Sequence, residues 1–190
     1  FIDLSMYDAV LSLCERIIYQ HDYDGTIPSP EGNGHPLLVP FGIYKSKDGH
    51  IALGIVDNTF WKILTNIIGN KELSKSQKYQ TIQSRQQNAS SLNYIIENWT
   101  TTKTNKELES ILGGHVPFGP LNTAREIFKD PHVKKRSMIK KIEIPSNKKM
   151  KPWRVAGNPL NFSKYPKPEF KCAPLLGENN KDDIFGYKSE

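Results

Sequence analysis

Histidines, cysteines and carboxylates are the side chains here that could carry chemistry, and their spacing narrows what that chemistry could be. His21, His35, His50, His115 and His132 form neither a His-x-His pair nor an HExxH, so the sequence implies no metal site. No G-x-S-x-G elbow supports serine-hydrolase chemistry. Cys14 and Cys172 make neither a metal spacing nor a disulfide framework, which fits a reducing cytoplasm. Asp3 and Asp8 flank a strand-to-helix junction where Asp8 reads as a cap, and Asp48 belongs to a turn. Glu178 follows Gly177 in a loop that favours structural hydrogen bonding over catalysis. No catalytic residue is therefore assigned within the chain. His35 lies in a Gly/Pro-rich loop, a placement that favours function, while a lone histidine equally serves packing or surface; both readings stand.

The elements that position these groups must come from one core, or from a small domain plus pieces of a larger one, in a chain of 190 residues. At 37% hydrophobic and 24% charged residues, the chain is too apolar for disorder and too polar for a membrane protein. Its best apolar stretch, Ile51 to Ile68, is broken by Asp57, Asn58 and Lys62. A formal net charge of +6 suits an anionic partner such as nucleic acid, an acidic membrane surface or a phosphate-bearing cofactor. The positive residues cluster at 134–136, 140–141 and 148–151 with no aromatic interleaved to stack a base, so they read as a solvated face, and neither nucleic acid nor membrane is expected as a partner. The opening Phe1-Ile2-Asp3 lacks an initiator Met and a signal-peptide pattern, so a start inside a longer protein is expected.

Along the chain, Ser5 with Asp8 predicts a helix start, with Val10, Leu11, Cys14, Ile17 and Ile18 on one face that must be buried. Asp22 to Pro36 is turn-rich. Val39 to Tyr44 and His50 to Val56 predict a hairpin closed by Asp48-Gly49, and Asn58 caps a following helix that Gly69 ends. Ser76 to Trp99 predicts two helices interrupted near Asn88 to Ser91, able to cover one face of the hairpin sheet. Thr104 with Glu107 and Thr123 with Glu126 predict capped helices, the second ending before Asp130-Pro131. His115 to Leu121 should be extended or turning. Met138 to Ile144 should pair with Pro152 to Ala156 across Pro145-Ser146-Asn147, and the proline-rich tail should run extended.

Several segments, in order, resemble the skeleton of the family III acyl-CoA transferases, which include formyl-CoA and carnitine CoA-transferases and the 2-methylacyl-CoA racemases. They are the run from Ile2 to Leu11, Asn33-Gly34-His35-Pro36, Pro40-Phe41-Gly42-Ile43-Tyr44, Asp48-Gly49, the run from Val116 to Asn122, Asp130-Pro131-His132-Val133, and Ala173 to Glu178. Each is weak alone; their shared order carries the resemblance. Phe118 departs from it, since the family more often has a small residue there.

The resemblance implies the C-terminal half of an α/β enzyme: a small α+β domain, an antiparallel hairpin sheet with helices, flanked by pieces of a Rossmann-like large domain. Residues 1–22 would end a large-domain segment, 23–37 form a linker, 38–114 the small domain, and 115–190 the return. It also implies an interlocked homodimer for the full-length protein. An aspartyl nucleophile would lie upstream, so the isolated chain is expected to be inactive. Coenzyme A and acyl-CoA would enter as substrate beside a small carboxylic acid, with no permanently bound cofactor. Met6 would line the coenzyme's adenine, with a pure core role as a gap filler equally open to it, and Gly34, His35, Phe41 and Gly42 would lie against substrate. The alternatives are 2-methylacyl-CoA racemisation, a non-catalytic remnant or binding module, and, more distantly, a nucleic-acid binder.

Overall fold

The computed structural model describes residues 1–142, 152–167, 169–174 and 176–177, and the chain divides into two compact units, Phe1–Leu121 and Asn122–Glu190. In the first, Ser5 Oγ accepts the Asp8 N–H at 3.4 Å and starts α1, Met6–Leu13. The expected single helix breaks at Cys14, whose N–H bonds the Leu11 carbonyl instead of one four residues back. It resumes as α2, Glu15–Asp24, which runs into the stretch expected to be turn and stops at left-handed Gly25 (φ 74°). The apolar stripe expected to be buried is exposed here: Val10, Ile17 and Ile18 all face solvent, and α1 has no buried residue.

The hairpin forms as expected, with β1, Phe41–Lys45, antiparallel to β2, His50–Gly54, in a register that sets Phe41 opposite Gly54 and Lys45 opposite His50. A third strand, β3, Phe118–Pro120, pairs antiparallel with β2 and sets Phe118 opposite Leu53. Prolines argued for an extended or turning segment there; they are compatible with pairing because β3 is an edge strand. Period-two alternation then sorts the sheet: Tyr44, Ile51 and Leu53 are buried on one face, and Phe41, Ile43, His50 and Ala52 are exposed on the other.

Helices cover the buried face. They are α3, Asn58–Ile68; α4, Glu72–Lys75; α5, Ile82–Gln87; α6, Ala89–Thr100; and α7, Asn105–Leu112. Trp61, Leu64, Leu92, Ile96, Leu108 and Leu112 pack with the inner sheet residues in one core. Each aliphatic side chain so buried stabilises by about 1.5–3 kcal/mol. The cap of α3 is Asp57 and not Asn58, its Oδ1 accepting the Phe60 N–H at 2.8 Å. The break between α5 and α6 falls at Asn88, within the expected stretch. Thr104 and Glu107 cap α7 reciprocally, as expected. Tertiary bonds seat the hairpin on these helices, among them one from Thr100 Oγ1 to the Lys45 carbonyl at 2.7 Å and one from the Asn105 N–H to Asp48 Oδ1 at 2.7 Å. Asp48 is thereby a structural turn residue.

In the second unit, Thr123 and Glu126 cap α8, Ala124–Ile127, reciprocally. A helix not foreseen, α9, Pro131–Lys135, follows at once, because Asp130 caps it and proline is welcome in a first turn. The expected ladder of β4, Ile139–Ile142, with β5, Trp153–Ala156, is antiparallel. The turn at 145–147, the lysines at 148–151 and Glu178 lie outside the described residues. Among the described residues no helix is long and apolar enough to cross a membrane.

Candidate active-site loop and sheet face

The loop from Asn33 to Val39 is laced to the hairpin and to α5. Asn33 accepts the Ile43 N–H at Oδ1 (2.8 Å) and donates from Nδ2 to the Ile43 carbonyl (2.6 Å), so its amide acts as one residue of an added strand on the free edge of β1. Gly42 permits this approach: a Cβ there would stand 2.5 Å from the Asn33 carbonyl oxygen. On the other side Gln86 donates to the Pro36 carbonyl. Arg85, 1% exposed, donates from Nε to the Val39 carbonyl (2.9 Å) and from its Nη1 to Asn58 (3.0 Å) and to the Tyr79 carbonyl (3.1 Å). Its guanidinium carbon lies 5.3 Å from the centre of the Trp61 ring. Burial draws the Arg85 pKa down from the ordinary guanidinium value, and the Asp57 carboxylate opposes that shift.

Within this frame His35 Nδ1 accepts both the Leu37 and the Leu38 N–H, each at 3.1 Å. Its ring centre is 4.8 Å from that of Phe41, with the planes tilted by 50°. Phe41 in turn lies across Gly54, where a Cβ would meet its ring at 3.0 Å. Phe41, Ile43, Ala52, Gly54, Phe118 and Gly119 line a shallow apolar depression of about 470 Å³ on the exposed sheet face. Small residues along its middle let the surface dip.

Gly34, His35, Phe41 and Gly42, singled out from the sequence, are thus gathered at one place. Met6 is not among their contacts; it sits in the first turn of α1 and is 87% exposed. Arg85, Gln86 and the double bond of Asn33 escaped the sequence reading. Arg85 and Gln86 sit in a polar helix with no local mark, and their partners are carbonyls some 46 and 50 positions away. Among the described residues no group of His, Cys, Asp and Glu is placed to hold a metal ion.

Residues 1–180 match the profile of CoA-transferase family III. The chain belongs to this family. Over 183 residues it is 33% identical to the succinyl-CoA:mesaconate CoA-transferase of Haloarcula marismortui, covering 96% of this chain and 45% of that protein. It is 28% identical over 180 residues to the human succinyl-CoA:glutarate CoA-transferase, covering 94% of this chain and 40% of that protein. The chain therefore spans less than half the length of these family III relatives. The fold is that of a CaiB/BaiF family protein from Brucella suis (TM-score 0.69, 24% identity, 94% of this chain and 46% of that one). A Mycobacterium tuberculosis protein shares it too (TM-score 0.75, 18% identity, 94% and 46%).

Proposed function

We propose that the protein containing this chain moves coenzyme A from an acyl-CoA to a small carboxylic acid, and that residues 38–114 form the small domain bearing the acid-side surface. The observation that carries this reading is the laced loop that sets His35 and the Phe41 ring beside an apolar sheet face, in a chain matched to family III over residues 1–180. The names of the relatives, with succinyl, mesaconate and glutarate among them, support a dicarboxylic acid as acceptor.

On this reading an aspartate outside the chain attacks the thioester carbonyl carbon. The C–S bond breaks, coenzyme A leaves as thiolate, and an aspartyl–acyl anhydride remains. The thiolate then adds to the aspartyl carbonyl and expels the first acid as its carboxylate, leaving an aspartyl thioester. The entering carboxylate attacks that thioester, the thiolate is released again, and its attack on the new acyl carbon frees the aspartate. Orientation by a rigid loop matters because a carboxylate is a weak nucleophile. Gly34, His35, Phe41 and Gly42 are assigned to the acid's surroundings, Met6 to the coenzyme's adenine, and the working form to an interlocked homodimer in a reducing cytoplasm.

The test is exchange of coenzyme A between succinyl-CoA and a panel of mono- and dicarboxylic acids by the full-length protein, beside the isolated chain. Turnover with a dicarboxylate by the full-length protein alone is expected. Failure with every acid would overturn the reading, and deuterium uptake at the α-carbon without change of acid would mark racemisation instead.

A further inference from the structure

His35 has a consequence that rests on the proposed reaction and goes past it. Its hydrogen bonds among the described residues fall on Nδ1, which accepts two backbone N–H groups at 3.1 Å. An Nδ1–H tautomer would aim a hydrogen at both donors, so the ring proton sits on Nε2. The ring cannot turn over without giving up both bonds, and the Phe41 ring flanks it at 4.8 Å. The segment that carries it is held at Asn33 by both backbone groups of Ile43 and at Pro36 by Gln86. What remains for a ligand is the single N–H of a half-buried ring set against Phe41, whose own ring lines an apolar depression. A short acid laid on that floor places its carbon chain against apolar atoms and needs a donor for its oxygen.

We propose that His35 is a specificity-determining hydrogen-bond donor: fixed as the Nε2–H tautomer, it binds a carboxylate oxygen of the entering acid at the rim of the apolar sheet face. Asn33 is its positioning residue.

The test combines spectroscopy with kinetics on the full-length protein labelled with ¹⁵N-histidine, the His35 signals being assigned by their loss in His35→Gln. Nδ1 should resonate as an unprotonated, pyridine-type nitrogen and Nε2 as a protonated, pyrrole-type one, and the Nε2 signal should shift on adding succinate. Asn33→Ala should mix the two tautomers. His35→Leu should raise KM for the acid about tenfold or more while leaving KM for the acyl-CoA unchanged, the loss expected for one hydrogen bond to a charged group. His35→Gln, which keeps an N–H donor, should recover most of it. A pyrrole-type Nδ1, an unchanged acid KM in His35→Leu, or a change confined to the acyl-CoA would each overturn the proposal. A protein that transfers no coenzyme A would remove the reaction, but the tautomer and the succinate-induced shift at Nε2, present or absent, would still decide the role of His35.

Discussion

Asn33 grips Ile43 by both of its backbone groups, at 2.6 and 2.8 Å, and so converts an irregular loop into a short extension of the sheet. Among the described residues its partner strand, β1, has a neighbouring strand, β2, on one side only, so the Asn33 amide occupies hydrogen-bonding positions that would otherwise face water or another chain. The loop beside the apolar face owes its shape to this pairing and to the absence of a side chain at residue 42.

Gly42→Ala should therefore act on the loop. The added methyl would press against a backbone oxygen at 2.5 Å, which cannot rotate away as a side-chain tip can. A stability loss of about 1–3 kcal/mol is expected from overpacking, with loss of turnover in the full-length protein. Gly119→Ala in the same depression meets nothing within 4 Å and should stay within about 0.5 kcal/mol of the parent in urea unfolding. Equal losses from the two substitutions would contradict the packing described.

Arg85→Leu removes the donor to the Val39 and Tyr79 carbonyls and to Asn58 while leaving their oxygens inside. The chain should lose about 3 kcal/mol, and Arg85→Lys should not restore it, because an ammonium lacks the planar fork that reaches all three. The urea midpoint of each variant measures this.

Acid should weaken the cap of α7. The backbone N–H of Thr104, and then its hydroxyl, hold the Glu107 carboxyl below its ordinary value of 4.5. Glu107 thus gives up its proton more readily folded than unfolded, so its contribution is complete above that ordinary value and fades as pH falls through the lower, folded one. Unfolding free energy followed by urea titration from pH 7 downward should decline below about pH 4.5. Thr104→Ala should shrink that decline. An unchanged slope would remove Glu107 from the account.

Tyr44→Phe should cost about 1 kcal/mol, the worth of one neutral hydrogen bond, here from the Tyr44 hydroxyl to Asn93 Oδ1 at 2.7 Å. Burial pushes the Tyr44 phenol up from its ordinary value of 10.0, so folding favours the neutral form; its stabilisation is complete below that ordinary value and is lost as pH rises from there through the elevated one. Difference absorbance of the parent and Tyr44→Phe in alkali should show the missing phenol to be one that ionises late.

The legible parts of the fold were those set by neighbours in sequence. Asp48-Gly49 announced the hairpin, and the Thr104–Glu107 and Thr123–Glu126 pairs announced their helices, because each capping bond spans three residues. The extended form of the segment was legible from its prolines, but its pairing with β2 did not show, since that joins Phe118 to Leu53 across the whole run of helices. The break at Cys14 carries no glycine or proline to mark it. At the site, the motif order brought Gly34, His35, Phe41 and Gly42 forward, whereas Arg85 stands in a polar stretch that carries no local sign of its enclosure.

Gly42 and Phe118 both lie directly opposite Leu53, one on each side of β2. Two strand spacings, about 10 Å, therefore separate the point where the polypeptide enters this sheet from the point where it leaves. Everything from Tyr44 to Val116 is strung between two ends held that close. The helices between those ends can therefore vary in length or sequence without moving the two strands apart, since β2 sets their spacing.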